Sequence, residues 1–132
     1  GAKSVLMIEL SAKACDTLKK NQASLGQDEK LGSIEIIKTD AVAHSARLPA
    51  NSIDITFIDP PFANESLFLK ALAEASRLTK KDEGSYIYIE HPKTVIPENL
   101  LKDIPEYGDL WEIQRTIRSG IATGSLLAPK AI

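Results

Sequence analysis

The residues with the clearest chemical potential are Asp59, Pro60, Pro61 and Phe62, which follow one another in the chain. They close an apolar run, residues 53–58, that is typical of a buried strand. Proline has no N–H and a fixed φ, so this turn is stiff and offers carbonyl acceptors without competing donors. A carboxylate and a carbonyl can orient the protons of an amino group on a nucleobase, and an aromatic ring can lie against the base. The simpler alternative is that the prolines only mark a turn after a strand.

Acidic residues also end other apolar runs. In an open α/β sheet, ligands bind beyond the carboxyl ends of the strands, so these acids are candidate binding groups. Glu9 could accept hydrogen bonds from the hydroxyls of a ribose, or it could be a solvated acid that opens a loop. Asp40 could accept from an adenine amino group, with the backbone amide of Ala41 facing the ring, or it could cap a helix. The four runs and the acids that end them are 5–8 with Glu9, 34–37 with Asp40, 53–58 with Asp59, and 86–89 with Glu90.

Segments with helical spacing separate these runs. A first helix follows Ser11 and stops near Gly26, and residues 42–48 allow one or two helical turns. Strands that alternate with helices imply βαβ units, a mainly parallel sheet and right-handed crossovers. The sequence therefore predicts a doubly wound α/β fold. A third helix is expected after Asn64, with Phe68, Leu72 and Ala75 on one stripe.

The last part of the chain has a different pattern. His91 and Pro92 are predicted to lie in a loop, and a short helix is expected around residues 99–101. From Trp111 onward, apolar and polar residues alternate until Ser119 and Gly120, and residues 121–127 follow. This alternation predicts an antiparallel hairpin that adds edge strands to the sheet.

Composition limits the class of protein. With 132 residues, residues 1–132 are expected to form one domain, and 43% apolar and 26% charged residues are ordinary for a globular protein. No run is long enough to span a membrane, no secretory signal is apparent, and the single Cys15 cannot form an internal disulfide, which favours the cytoplasm. Two histidines and one cysteine lack metal-ligand spacing, so no metal site is predicted. The net charge of −2 gives no overall attraction to nucleic acid, which would need a local patch.

The order of these strand-end groups resembles that of class I S-adenosylmethionine-dependent methyltransferases. One acid ends the first visible strand, a second acid ends the next, and Asp-Pro-Pro-Phe ends the third. Within that class the chain is most similar to the bacterial family that methylates the N2 amine of a guanine in 16S ribosomal RNA. The resemblance covers most of the chain. It is carried by residues 5–9, Lys20 and Asn21, residues 39–41, 53–62 and 86–90, and the hairpin that starts at Trp111.

The resemblance implies a Rossmann-like methyltransferase domain, S-adenosyl-L-methionine as cofactor, and ribosomal RNA or the small ribosomal subunit as partner. It implies no role for His44, His91 or Lys93, and His44 is expected on a helix surface. It assigns roles to two sets of residues. The cofactor set is Glu9, Leu10, Asp40 and Ala41, and the catalytic set is Asp59, Pro60, Pro61 and Phe62. In the catalytic set, Asp59 and the Pro60 carbonyl are implied to contact the target amine, and Phe62 to stack on the base.

One feature departs from the family pattern. Methyltransferases of this class place a glycine-rich turn after their first strand, and no glycine of this chain follows a strand ahead of Val5. The first strand is therefore expected to be absent, which leaves two inner strand edges of the sheet unpaired. We expect the gap to be closed by self-association or by direct pairing of the flanking strands, or else the fold to be marginally stable. Weak cofactor binding and little activity are expected of this chain alone.

Three alternatives remain open at this point. A phospho-acceptor receiver domain would use Asp59 as acceptor, Glu9 as metal ligand and Lys93 as phosphate partner, but Leu10 stands where such a domain has a second acid. An N-methyltransferase could instead act on a DNA base or a protein glutamine, since the motif specifies only the kind of amine. A non-catalytic fragment that keeps the fold is the third. In each case Arg115, Arg118 and Lys130 could contact phosphate or simply be solvated.

Overall fold

The computed structural model describes residues 1–26, 32–59 and 65–131. It forms two compact units, Gly1–His44 and Ser45–Ile132. Pro60, Pro61 and Phe62, and the expected helix cap Asn64, lie outside the described residues.

The first unit is built on a parallel strand pair. Its elements alternate as the sequence predicts, and the two strands pair along their whole length, from Ser4 beside Ser33 to Glu9 beside Lys38. Ser11 caps the first helix, because its side chain accepts a hydrogen bond from the Ala14 amide at 3.3 Å. The elements are β1 (Ser4–Glu9), α1 (Ala12–Ser24), β2 (Ser33–Lys38) and α2 (Ala41–Ser45).

The second unit contains a four-stranded mixed sheet in the order β3-β4-β6-β5. The pair β3 and β4 is parallel, whereas β6 runs antiparallel to both β4 and β5. Within the part of the chain that the structure describes, no helix is both long and apolar enough to cross a membrane. The elements are β3 (Ile55–Ile58), α3 (Glu65–Leu78), β4 (Tyr86–Pro92), α4 (Pro97–Lys102), α5 (Pro105–Gly108), β5 (Trp111–Ser119) and β6 (Ala122–Pro129).

Helix α3 supplies one side of the core of the second unit. Its apolar stripe, predicted from the spacing of Phe68, Leu72 and Ala75, is confirmed, since all three side chains are buried. The other side of the core consists of inward-facing side chains of the sheet and of α4. Burial of a side chain of this size stabilises the fold by about 1.5–3 kcal/mol. The partners of the stripe include Ile58, Ile87, Ile89, Leu100, Trp111 and Leu127.

Strand β4 is longer than the sequence indicates. Glu90 lies inside the strand beside Gly124, and His91 lies beside Thr123, so the predictions of a strand end at Glu90 and a loop at His91 are wrong. His91 is 2% exposed, and its Nε2 lies 2.8 Å from the Ser125 hydroxyl. The reason is that β6 pairs with β4 as far as Pro92, and this pairing holds the His-Pro sequence in extended form.

The predicted hairpin is confirmed, but its position in the sheet is not as expected. Of the two hairpin strands, β5 lies at an edge of the sheet, whereas β6 lies between β4 and β5. A bulge between Ile113 and Arg115 changes which side chains of β5 face the core, so that Ile117 is 55% exposed. The turn is tight because Gly120, with φ of +62°, occupies the first of its two loop positions.

Each unit has its own sheet among the described residues. Strand β1 pairs with β2, and β3 pairs with β4. Of the expected ways to close a gap in the sheet, direct pairing of the two flanking strands is therefore not found.

Candidate functional site

In the first unit, two acids lie at the same end of the parallel pair. The Thr39 amide donates to the Glu9 carbonyl at 3.1 Å, which fixes the two strand ends beside each other. The half-buried Glu9 side chain is held in turn, since its Oε1 accepts from the Ser11 amide at 3.0 Å. A carboxylate that accepts one hydrogen bond still has acceptor sites for the hydroxyls of a sugar.

Asp40 is the N-cap of helix α2. Its Oδ1 accepts from the Ala43 amide at 2.9 Å, so the capping alternative describes its position in the structure. Ala41 is the first residue of that helix, and the Leu10 side chain is 65% exposed next to Glu9. The structure thus brings all four expected cofactor residues to one end of the first unit.

An open depression of about 460 Å³ adjoins Glu9. Glu9 forms one side of it, and Ser11 with the first turns of α1 forms the rest. Of the other expected cofactor residues, Leu10, Asp40 and Ala41 do not line it. The helix residues that line the depression are Ser11, Lys13, Ala14, Thr17 and Leu18.

Asp59 belongs to the second unit. It follows β3 directly and is exposed. Because Ile58 is paired with Ile89, Asp59 continues the register toward Glu90 on the neighbouring strand. The other three residues of the expected catalytic set lie outside the described residues.

The sequence predicted that the run leading to Asp59 is a buried strand, but in the structure only one face of this strand is buried. Ile58 is buried, whereas Ile55 and Phe57 are 48% and 75% exposed, so successive side chains alternate between the core and solvent. Phe57 contacts Tyr88 on β4, with ring centroids 5.9 Å apart. The pattern missed this aromatic pair because a continuous apolar run does not reveal which of its two faces is covered.

Two cationic side chains fix the loop that leads into β3. Lys81 Nζ donates to the Asn51 side chain at 2.9 Å, to the Thr79 carbonyl at 2.6 Å and to the Ser76 carbonyl. It also lies 5.8 Å from the centre of the Trp111 ring, and burial lowers its pKa. These bonds tie the loop to the last turn of α3 and so help to hold the strand that ends at Asp59.

Arg77, on helix α3, also holds the segment that precedes β3. Its guanidinium donates to the carbonyls of Leu48 at 2.9 Å and Ser45 at 2.8 Å, and to the Glu74 carboxylate at 3.0 Å. The hydrogen bonds with Arg77 lower the pKa of Glu74, and the same pairing raises the pKa of Arg77. Neither residue was recognised from the sequence, because their partners lie about thirty residues away in the chain.

Comparison with known proteins identifies relatives of this chain. A family model described as conserved hypothetical protein 95 matches residues 1–121. Ribosomal RNA small subunit methyltransferase D of Buchnera aphidicola is 34% identical over 98 residues, which cover 70% of this chain and 48% of that protein. The chain therefore spans about half the length of this curated relative.

Solved structures have the same fold. A putative methyltransferase from Escherichia coli aligns with a TM-score of 0.69 at 19% identity, over 99% of this chain and 65% of that one. A putative methylase from Haemophilus influenzae aligns with a TM-score of 0.66 at 24% identity, over 96% and 72%. At these identities the likeness establishes the fold, which is that of Rossmann-like methyltransferases.

The matches bear on the interpretations left open by the sequence. The resemblance to the small subunit ribosomal RNA methyltransferases is confirmed at the level of the family. None of the matches reported above favours a phospho-acceptor receiver domain. Since the family model extends over nearly the whole sequence, this chain belongs to the conserved hypothetical protein 95 family.

Proposed function

We propose that this chain carries the catalytic centre of an S-adenosylmethionine-dependent methyltransferase that modifies the exocyclic N2 amine of a guanine in small subunit ribosomal RNA. The observation that carries the proposal is Asp59, an exposed acid directly after β3 that is followed in sequence by two prolines and a phenylalanine. The name of the Buchnera relative supports the RNA substrate.

The acids of the first unit suit the adenosyl part of such a cofactor. Glu9 has a half-buried carboxylate oriented by the Ser11 amide, which suits a pair of ribose hydroxyls. Asp40 and the amide of Ala41, at the adjacent strand end, suit the amino group and a ring nitrogen of adenine. When bound, S-adenosylmethionine supplies a methyl group on a positively charged sulfur.

The remaining chemistry concerns the target amine. The lone pair of a guanine amine is delocalised into the ring, so the amine is a poor nucleophile. Acceptors at Asp59 and the Pro60 carbonyl would bind its two protons, favour rehybridisation of the nitrogen and direct its lone pair toward the methyl group. Pro61, with the fixed φ of any proline, would limit the motion of these acceptors, and Phe62 would stack on the extruded base, a contact worth about 1–3 kcal/mol. The proton released after transfer goes to Asp59 or to water.

Self-association is a further part of the proposal. Within the described residues β3 has one strand partner, β4, and it presents Ile55 and Phe57 to solvent. An unpaired strand edge with exposed apolar side chains is a template for another chain. We therefore propose that a second copy pairs with this edge of the sheet.

The substrate assignment is tested by identifying the methylated nucleoside. The purified chain is incubated with S-adenosylmethionine that carries a labelled methyl group and with small ribosomal subunits, and the digested RNA is analysed by mass spectrometry. We expect the label in N2-methylguanosine. Because little activity is expected of this chain alone, the assay uses the chain in excess over the subunits and S-adenosylmethionine at saturating concentration. Label in another nucleoside or in a ribosomal protein would contradict the target. No transfer above an enzyme-free control under these conditions would contradict the proposal for this chain.

A further inference from the structure

We propose that the tip of the β5–β6 hairpin, together with Lys93, binds the phosphate backbone of the RNA next to the target nucleotide. The hairpin tip is defined here as residues 118–121. This inference rests on the proposed function, because it identifies how the substrate of that same site is held.

The register of the sheet places the hairpin tip at the same end of the sheet as Asp59, where β3 and β4 have their carboxyl ends. Strand β3 ends there, β4 ends there at Pro92, and Pro92 is paired with Ala122, the first residue after the tip. Ala122 is paired in turn with Ser119. Three strand spacings of about 4.8 Å separate β3 from β5, and Pro92 lies three residues, or about 10 Å, farther along β4 than the partner of Ile58, so the tip is roughly 15–20 Å from Asp59. A few nucleotides of an extended RNA strand can bridge such a separation.

The charge of this region is positive. Arg118 lies in the tip, Arg115 precedes it on β5, and the chain has no acid between residues 113 and 131. Lys93 follows Pro92 and is therefore next to the tip. Arg118 and Lys93 are both exposed, and neither forms an ion pair with another described residue. Because the chain as a whole has a net charge of −2, such a local patch is the kind of surface that a polyanion requires.

The acids at the same edge do not cancel this patch. Asp59 and Glu90 lie on β3 and β4, whereas the uncompensated cations lie at the end of β4 and on β5. At this end of the sheet, the side chains near the proposed amine site are therefore acidic, and those near the tip are basic. An amine on the acidic side and phosphates on the basic side match the two kinds of group in one nucleotide segment.

The tip is also built to make a contact. Ile121 is 83% exposed at the turn, so its side chain is available for contact with a ligand. Gly120, which has a positive φ, allows a two-residue turn, so the backbone of the tip is short and its conformation is well defined. In the proposed complex Ile121 packs against a base or a sugar between the two phosphate contacts.

The test measures binding rather than catalysis. A fluorescently labelled single-stranded oligoribonucleotide that contains guanine is titrated with the chain over a series of salt concentrations. We expect Arg118→Gln and Lys93→Gln each to weaken binding about three- to tenfold and to reduce the slope of log K against log salt by about 0.7. Ile121→Ser is expected to weaken binding without changing that slope.

Arg47→Gln is the matched control. Arg47 is exposed and lies in the loop held by Arg77, which precedes β3 and so is at the opposite end of the sheet from the tip. Its substitution should change neither affinity nor slope. If Arg118→Gln and Lys93→Gln behave like Arg47→Gln, the inference is wrong. If they weaken binding to small ribosomal subunits but not to the free oligonucleotide, the tip binds a ribosomal protein and the phosphate assignment is also wrong.

The outcome is separable from that of the proposed function. Methyl transfer to guanine with unchanged RNA affinity in the tip variants would remove this inference and leave the enzyme assignment. If the tip variants have altered RNA affinity but the wild type transfers no methyl group, the RNA-binding inference stands and the enzyme assignment is removed. Circular dichroism of each variant verifies that the exposed substitutions leave the fold intact.

Discussion

Individual polar side chains hold the backbone of the second unit in place. Arg77 joins two carbonyls of the loop before β3 to α3, and Glu74 orients Arg77 while it accepts from the Ser45 hydroxyl at 2.9 Å. With both side chains about one-quarter exposed, this pair is shielded better than most surface ion pairs. Its effect on folding should therefore be measurable.

The pH dependence of stability tests this pair. The pKa of Glu74 is lowered from 4.5 in the folded chain, so the unfolded chain binds more protons in acid, and the stabilisation is lost as the pH falls through the folded-state pKa. We expect Glu74→Gln to lose about 1 kcal/mol of unfolding free energy at neutral pH, and the difference from wild type to shrink in acid. Urea unfolding at neutral and acidic pH measures it, with Glu83→Gln as the exposed control. A difference that is the same at both pH values would contradict the account.

Local signals made some residues predictable and long-range contacts hid others. Ser11 and Asp40 stand directly before helical segments, and both are caps, because a cap bonds to amides within three residues. His91 was misassigned because its partner Ser125 lies 34 residues away. The strand-end acids could be found because each closes an apolar run, but Asp40 shows that the same position serves a helix cap.

At the scale of the elements, strand β6 is adapted to its neighbour β4. Tyr88 lies across Gly124, and a Cβ atom at position 124 would overlap the atoms of the tyrosine ring. Tyr88 in turn packs against Phe57 of β3. Glycine at position 124 thus leaves room for the Tyr88 ring above β6.

A double-mutant cycle measures this adaptation. Gly124→Ala is expected to destabilise the chain by about 1–3 kcal/mol in wild type, because the ring must move. In a Tyr88→Val background the same substitution should cost less, which gives a coupling of about 1 kcal/mol. Denaturant unfolding of the four variants provides the values, and Ala122→Ser on the same strand is the control. Equal costs in both backgrounds would mean that the ring does not lie over position 124.

The type of most elements followed from the sequence, whereas their neighbours in the sheet did not. The stripe of α3 and the alternation of the hairpin have distinct periods, so they could be assigned. The insertion of β6 between β4 and β5 depends on pairing between distant segments, and the bulge near Gln114 reverses the faces of β5 beyond it. No local pattern encodes either feature.

For the whole molecule, the exposed face of β3 leads to a prediction about assembly. Sedimentation of the wild type is expected to reveal concentration-dependent association, because an unpaired edge with exposed Ile55 and Phe57 favours pairing with another chain. Phe57→Lys should shift the chain to the monomer. Ile96→Lys, a similar change at a 52% exposed position, should not. A wild type that remains monomeric at all concentrations would contradict the proposal.

The central claim is that Asp59 binds the amine that receives the methyl group. Its most direct test is the single-turnover rate of methyl transfer by Asp59→Asn, with Asp109→Asn as the exposed control. We expect Asp59→Asn to lower the rate by about a hundredfold or more while the affinities for S-adenosylmethionine and RNA stay within about twofold of wild type. Transfer by Asp59→Asn at the wild-type rate would contradict the account.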